Sequence, residues 1–387
     1  MKPRTRGFLG VPVWLLLPVA LLAVGWLGAC GDDDDDDDAT SVESTEEAEA
    51  EATTEPTGEE TEAVAEGTVE STSPEAEGTF VAEERIDLVA VHGSSPDFIA
   101  LPTLAAWDIL EERNIHVEQQ YVEDGATAIQ AIAQGQAQIA TNIAANTGVA
   151  AAEQGVNVKE VVGAQRMSWA LAARPEFATL EDLQGRSIAV HSDVSFTKTV
   201  ADWFAEEYGI EMDQLIIPGS EVRAQALANG EIDSTIIDIA DVVRISQVSP
   251  DSFTVVTTLG ESLGDLISGG TFIDADWADE NPEIALEVTK AMVEGLRRLS
   301  SDRDYAVSLA QEALPEEDPQ VVEDVVDQYL ERELWDPNGF VTEATAQATL
   351  DFYAQFGQVD VDPATADLNK YFAIDLLNQA LDALGRE

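Results

Sequence analysis

Ala128-Ile129-Gln130-Ala131-Ile132-Ala133-Gln134-Gly135-Gln136-Ala137-Gln138-Ile139 and Ala224-Gln225-Ala226-Leu227-Ala228-Asn229-Gly230-Glu231-Ile232-Asp233 are two versions of one phrase. Each reads as an amphipathic helix stopped by glycine, with a short strand directly after it. The surroundings repeat as well. Ile86 to Val91 and Ser187 to Val190 read as strands, ending in Ala90-Val91-His92-Gly93 and Ala189-Val190-His191-Ser192. A helix follows each, about Asp97 to Arg113 in one copy and Ser195 to Tyr208 in the other. A second strand comes next, His116 to Val122 or Leu215 to Ile217, and then the quoted phrase. Its closing strands are Ala137 to Thr141 and Ile232 to Ile236. Strands alternating with helices indicate an α/β fold with mainly parallel sheets. Two tandem copies indicate two similar lobes.

Outward from the repeat, Val158 to Ala173 and Phe253 to Ile273 are β-rich and have to pass between the lobes as crossovers. Beyond Asp274 five helical stretches are predicted: Glu283–Leu299, Tyr305–Ala313, Gln320–Glu331, Glu343–Phe356 and Asp367–Leu384. They are expected to pack around the first lobe. The domain reading is lobe 1 at 85–165 with 262–387, and lobe 2 at 166–261.

The N-terminus is different in kind. Lys2, Arg4 and Arg6 precede an apolar run from Phe8 to Ala29, the layout of a secretory signal. The run approaches the ~20 residues of a spanning helix, so a retained anchor is the alternative. Cys30, the only cysteine, ends the run as Leu27-Gly28-Ala29-Cys30 and resembles a bacterial lipobox. In that reading residues 1–30 are a lipoprotein signal, Cys30 is lipidated, and the chain is held at the extracytoplasmic face of the cell membrane. Residues 31–84 hold 22 acidic residues and no Lys or Arg, including Asp32 to Asp38 unbroken. That composition predicts a disordered, solvated tether of roughly 40 Å or more.

The formal net charge is −57, from 19 basic and 76 acidic residues. After the signal and tether are set aside, sixteen basic and fifty-four acidic residues remain, a net −38. Such a surface repels phosphate backbones and argues against nucleic-acid binding. One cysteine excludes an intramolecular disulfide, and three histidines argue against a His-based metal site. No metal or cofactor is expected, and the folded part is expected to be a monomer.

The stretches Ala128 to Ile139, Thr179 to Val190 (TLEDLQGRSIAV) and Ala224 to Ile236 resemble the nitrate–sulfonate–taurine and thiamine-pyrimidine group of periplasmic, type II solute-binding proteins. The resemblance covers about Arg85 to Leu384. It implies a two-lobed fold, an ABC permease and ATPase as partners, and a small-molecule ligand taken up by hinge closure. An enzyme of the same fold, a thiamine-pyrimidine synthase, is the rival class. The resemblance implies for it a cysteine-rich iron motif and a consumed histidine; this chain has no such motif, so it is not expected to be an enzyme.

In open α/β sheets ligands sit beyond the carboxyl ends of the strands. That rule selects the loops His92–Phe98, Glu123–Thr127, Asn142–Asn146, His191–Thr197 and Asp238–Asp241. The candidate ligand-binding residues are His92, Ser95, Asp97, Phe98, Asp124, Thr127, Asn142, Trp169, His191, Asp193, Ser195, Phe196 and Asp238. Ser95 and Ser195 precede helices, where capping is the ordinary role. Phe98, Trp169 and Phe196 can stack on a flat ligand or fill the core. Acidic residues crowd these loops, with Arg166 and Lys198 as the cations close by, and burying an anion beside carboxylates is costly. A neutral aromatic heterocycle therefore fits better than an alkanesulfonate, taurine or nitrate, and within what the resemblance implies that means riboflavin or the thiamine pyrimidine precursor.

Overall fold

A computed structural model describes residues 80–387; the signal, Cys30 and the Asp32–Asp38 run lie outside the described residues. The first lobe opens with β1 (Ile86–His92), α1 (Leu101–Glu112), β2 (Ile115–Tyr121), α2 (Gly125–Ala133), β3 (Ile139–Ile143) and α3 (Ala145–Glu153). Two strands follow, β4 (Val158–Gly163) and β5 (Trp169–Ala173). The second copy is β6 (Ser187–Val190), α4 (Phe196–Tyr208), β7 (Asp213–Ile216), α5 (Ser220–Ala228), β8 (Ser234–Asp238) and α6 (Ile239–Val248). Then come β9 (Thr254–Thr258), α7 (Gly260–Leu263) and β10 (Gly270–Asp274). The chain ends in α8 (Ala275–Glu280), α9 (Pro282–Ser301), α10 (Arg303–Ala313), α11 (Pro319–Glu331), α12 (Glu343–Gln355) and α13 (Ile374–Leu384).

The strands form two five-stranded sheets, ordered β2-β1-β3-β10-β4 and β7-β6-β8-β5-β9. In each, the three repeat strands are parallel, and the fourth position is an antiparallel strand arriving from the other lobe. The chain passes from β4 in one sheet to β5 in the other, and returns from β9 to β10. This is a two-lobed periplasmic-binding-protein fold, with the crossover strands at one side of both sheets and β2 and β7 at the far edges.

Local chemistry explains the element boundaries. Ser195 caps α4, and Gly209, at φ +68°, ends it in the left-handed region that glycine adopts without strain. Asp124 caps α2 by accepting from Thr127 N at 2.8 Å. In α9 the buried residues Val288, Met292 and Leu299 form the stripe that packs on α1 and α13. Gly295 makes the approach to α1 possible: a Cβ there would lie 2.8 Å from the Pro102 carbonyl oxygen.

Some sequence expectations are displaced. The helix expected from Asp97 begins as a 3-10 turn at Phe98–Ala100, and the α-helix starts at Leu101, just before Pro102. The strands after the two glycine stops begin two residues later than expected, because Gln136 and Glu231 are still closing the helix ends through their backbone N–H groups. The continuous helix expected at Asp367–Leu384 is broken. Tyr371 to Ala373 run beside β4, with Glu160 N donating to Tyr371 O at 2.8 Å and Ala373 N to Glu160 O at 2.7 Å. That pairing satisfies an edge strand that would otherwise stay open. At the other end, residues 80–84 lie along the fold, with Ala82 N donating to Arg113 O at 3.0 Å.

Candidate functional site

A cavity of about 520 Å³ opens between the two lobes at the carboxyl ends of the repeat strands. That volume suits a small organic ligand. The loop after β1 brings Ser95, Asp97 and Phe98 to its wall, the loop after β2 brings Asp124, and the end of β3 brings Asn142. From the second lobe come His191, Ser195 and Phe196, with Asp238 at the end of β8 and Trp169 at the start of β5. Trp169 and Asp238 are register partners in neighbouring antiparallel strands, which explains their arrival at one place.

Three sequence candidates are not on this wall. His92 is fully buried behind it; its Nδ1 lies 2.8 Å from Thr141 Oγ1, and its ring packs edge-on to Tyr121. Thr127 serves α2 through its backbone N–H. Asp193 points to solvent at the tip of its loop. The cations expected near the cleft are also engaged elsewhere. Arg166 donates to Asp336 and lies over the Phe340 ring, and Lys198 pairs with Asp202.

The cavity has cations that sequence reasoning missed. Arg244 of α6 lines it, paired with Asp241 at 2.7 Å and Glu317 at 2.6 Å, with its guanidinium over the Phe98 ring. Arg223 of α5 lines it too and is 1% exposed. Its donors reach Thr235 Oγ1 at 3.2 Å, Ile217 O at 3.2 Å and Ile236 O at 3.1 Å, and among the described residues it has no ion pair. Burial pulls its pKa down to about 10. The sequence signal for Arg223 was its helical phase, one turn ahead of buried Leu227 on the inner face of α5.

Tyr329 of α11 was missed as well. Its hydroxyl donates to Asp238 Oδ1 at 2.9 Å, and its ring lies 6.3 Å from Phe98 and 5.3 Å from Trp335. Asp238 also accepts from Gln165 at 3.2 Å, from Ser168, and from Ala240 N at 2.9 Å. Burial, the largest influence, raises its carboxyl pKa to about 6 despite those donors. Trp169 and Phe196 lie 6.0 Å apart, tilted at 53°, and give the second lobe an aromatic wall.

The lobes touch in several places around the cavity. Asn146 donates to Val194 O at 2.7 Å, Gln247 to Asp324 at 2.8 Å, and Gln355 to Glu206 at 2.9 Å.

Residues 110–326, more than half of the chain, match the family model described as NMT1/THI5 like. The chain belongs to the NMT1/THI5-like family. Comparison with curated proteins gave no match. Solved structures with the same fold include the ligand-binding component of an ABC-type import system from Staphylococcus aureus, with zinc bound, at TM-score 0.62 and 10% identity; 77% of this chain and 99% of that one are covered. The periplasmic aliphatic sulphonate-binding protein SsuA from Escherichia coli gives 0.59 at 14% identity, over 77% and 100%. The periplasmic nitrate-binding protein NrtA from Synechocystis gives 0.60 at 12%, over 78% and 90%. At these identities the likeness speaks for the fold.

Proposed function

We propose that this NMT1/THI5-like chain is the solute-binding component of an ABC importer, held outside the cell membrane by a lipid on Cys30. It captures a small neutral aromatic heterocycle, riboflavin or a thiamine pyrimidine precursor, by closure of its lobes, and it catalyses no reaction. The observation that carries this reading is the interlobe cavity, placed at the strand ends and walled by Phe98, Trp169 and Phe196. Trp169, half-buried against Phe196, offers the open ring surface on which a flat ligand can stack at closure. Its partners are then a membrane permease and an ATPase, which the Staphylococcus aureus relative's description as part of an ABC-type import system supports.

An alkanesulfonate, taurine or nitrate is a second reading, favoured by Arg223 on the cavity wall, which has no ion pair among the described residues. Thermal melting in the presence of riboflavin, the thiamine pyrimidine, hexanesulfonate and nitrate tests both. A bound solute at a hundredfold excess over its Kd adds about 2.7 kcal/mol of stability. Stabilisation by the heterocycles supports the first reading; stabilisation by the anions alone replaces it with the second.

A further inference from the structure

The two walls of the cavity differ in hydrogen-bonding sense. On the first lobe the charged groups are the carboxylates Asp97, Glu123 and Asp124, with no cation beside them on the wall, and the Tyr329 hydroxyl there is spent on Asp238. Both cations, Arg223 and Arg244, belong to the second lobe, where they accompany the carboxylates Glu221, Asp238 and Asp241. Arg244 is satisfied by two carboxylates, and Asp238 by four donors. Arg223 is different, because its hydrogen-bond partners are two carbonyls and a hydroxyl, which leaves two of its five N–H groups without an acceptor, and the nearest balancing charge is Asp241, already paired with Arg244. Buried charges are ordinarily paired, so one left open at a ligand cavity is matched by the ligand.

His191 adds to the same side. Its Nδ1 accepts the Gly219 N–H at 3.1 Å, so the neutral ring carries its proton on Nε2. Burial, followed by the charge of Arg223, lowers its pKa and keeps the ring neutral near pH 7, against the opposing pull of Asp124 across the cavity. His191 Nε2 is therefore a second donor, with no protein partner among the described residues.

Resting on the heterocycle reading, we infer that the ligand is bound in one polarity: a carbonyl-bearing, acceptor-rich edge faces Arg223 and His191 on the second lobe, and a donor-bearing edge faces the carboxylates of the first. Arg223 is then the residue that determines specificity. A flat ring lacking carbonyl or anionic oxygens is rejected, because entering would leave the two remaining Arg223 N–H groups without an acceptor, which narrows the heterocycle reading to a carbonyl-bearing ring such as the flavin.

The test uses the full chain and three probes: riboflavin, whose pyrimidine edge carries two carbonyls; phenazine, a flat tricycle with none; and hexanesulfonate. Calorimetric titration is expected to give wild-type binding of riboflavin about 10- to 100-fold tighter than of phenazine. Arg223→Met should remove most of that difference, and Arg223→Lys should restore part of it. Far-UV circular dichroism checks that each variant is folded, and the wild-type ratio of the two ring probes needs no variant. Equal binding of riboflavin and phenazine, or riboflavin binding unaffected in folded Arg223→Met, overturns the polarity and leaves the heterocycle reading intact. Binding of hexanesulfonate alone, abolished in Arg223→Met, overturns the heterocycle reading and keeps Arg223 as the acceptor's partner. Binding of none of the three overturns the polarity together with the riboflavin arm of the heterocycle reading.

Discussion

Tyr329 Oη donates to Asp238 Oδ1 at 2.9 Å, joining a C-terminal helix to the strand end of the opposite lobe at the inner edge of the cavity. Both groups are buried, and Asp238 also caps α6, so this one hydrogen bond ties the helical extension, the second sheet and the ligand wall together. Tyr329→Phe removes a donor from a buried carboxylate without changing shape. It should cost about 1–3 kcal/mol, read as a lowered melting temperature.

Asp238 also predicts a pH dependence. Its carboxyl pKa is raised from 3.8 to about 6, chiefly by burial. The folded chain therefore holds this proton to higher pH than the unfolded chain does. The contribution is full below about pH 4 and is lost as pH rises through about 6, a span worth about 3 kcal/mol. Melting curves of Asp238→Asn should show a flatter dependence between pH 4 and 7 than the wild type. Parallel curves would remove Asp238 as the source.

Arg113, at the end of α1, donates to Glu287 of α9 at 3.0 Å and pairs with Glu294 on the same helix. Arg113 and Glu287 are both buried, and Lys290 supplies Glu287 with a second cation at 2.7 Å. Arg113→Met leaves a buried carboxylate with one partner fewer, and should destabilise the chain by about 3 kcal/mol. Chemical denaturation measures this, and Glu287→Gln in the same background should recover part of the loss.

Gly148 of α3 lies against the Phe272 ring of β10, where an added Cβ would overlap the ring. Helix and returning strand meet there with no spare volume, so Gly148→Ala should cost about 1–3 kcal/mol. An unchanged melting temperature would mean that α3 can move away from the sheet.

Trp169 is only half-buried against Phe196, so it has ring surface left for a ligand. Trp169→Ala should weaken binding of the stabilising heterocycle by about tenfold or more, while the ligand-free variant stays folded. Unchanged affinity in calorimetric titration would take Trp169 out of the site.

The repeat was legible in the sequence because its signals are local. A helical apolar phase, a glycine stop at Gly135 or Gly230, and a strand directly after can each be read from a dozen residues. Nine of the twelve residues selected from strand-end loops line the cavity, since the loops themselves are placed by the parallel sheets, and Trp169, selected from the crossover, lines it as well. His92 could not be separated from its counterpart His191 in this way. Both end equivalent strands, yet Thr141 and Tyr121 enclose one, while the other meets the Gly219 backbone. Arg223 and Tyr329 were missed for a different reason. Both sit inside helices, outside any strand-end loop, and Tyr329 reaches Asp238 from a segment 91 residues further along the chain. The Tyr371–Ala373 pairing with β4 was likewise hidden, because edge pairing between distant segments leaves no periodic mark.

Labels on the two edge strands farthest from the crossovers measure closure most directly. With Cys30→Ser to remove the native thiol, spin labels at Gln120→Cys in β2 and Leu215→Cys in β7 report the width of the cleft mouth by pulsed dipolar spectroscopy. Added riboflavin, or whichever solute raises the melting temperature, should collapse a broad distance distribution into one narrow, shorter peak. A distribution unchanged by a solute that binds would contradict capture by closing lobes.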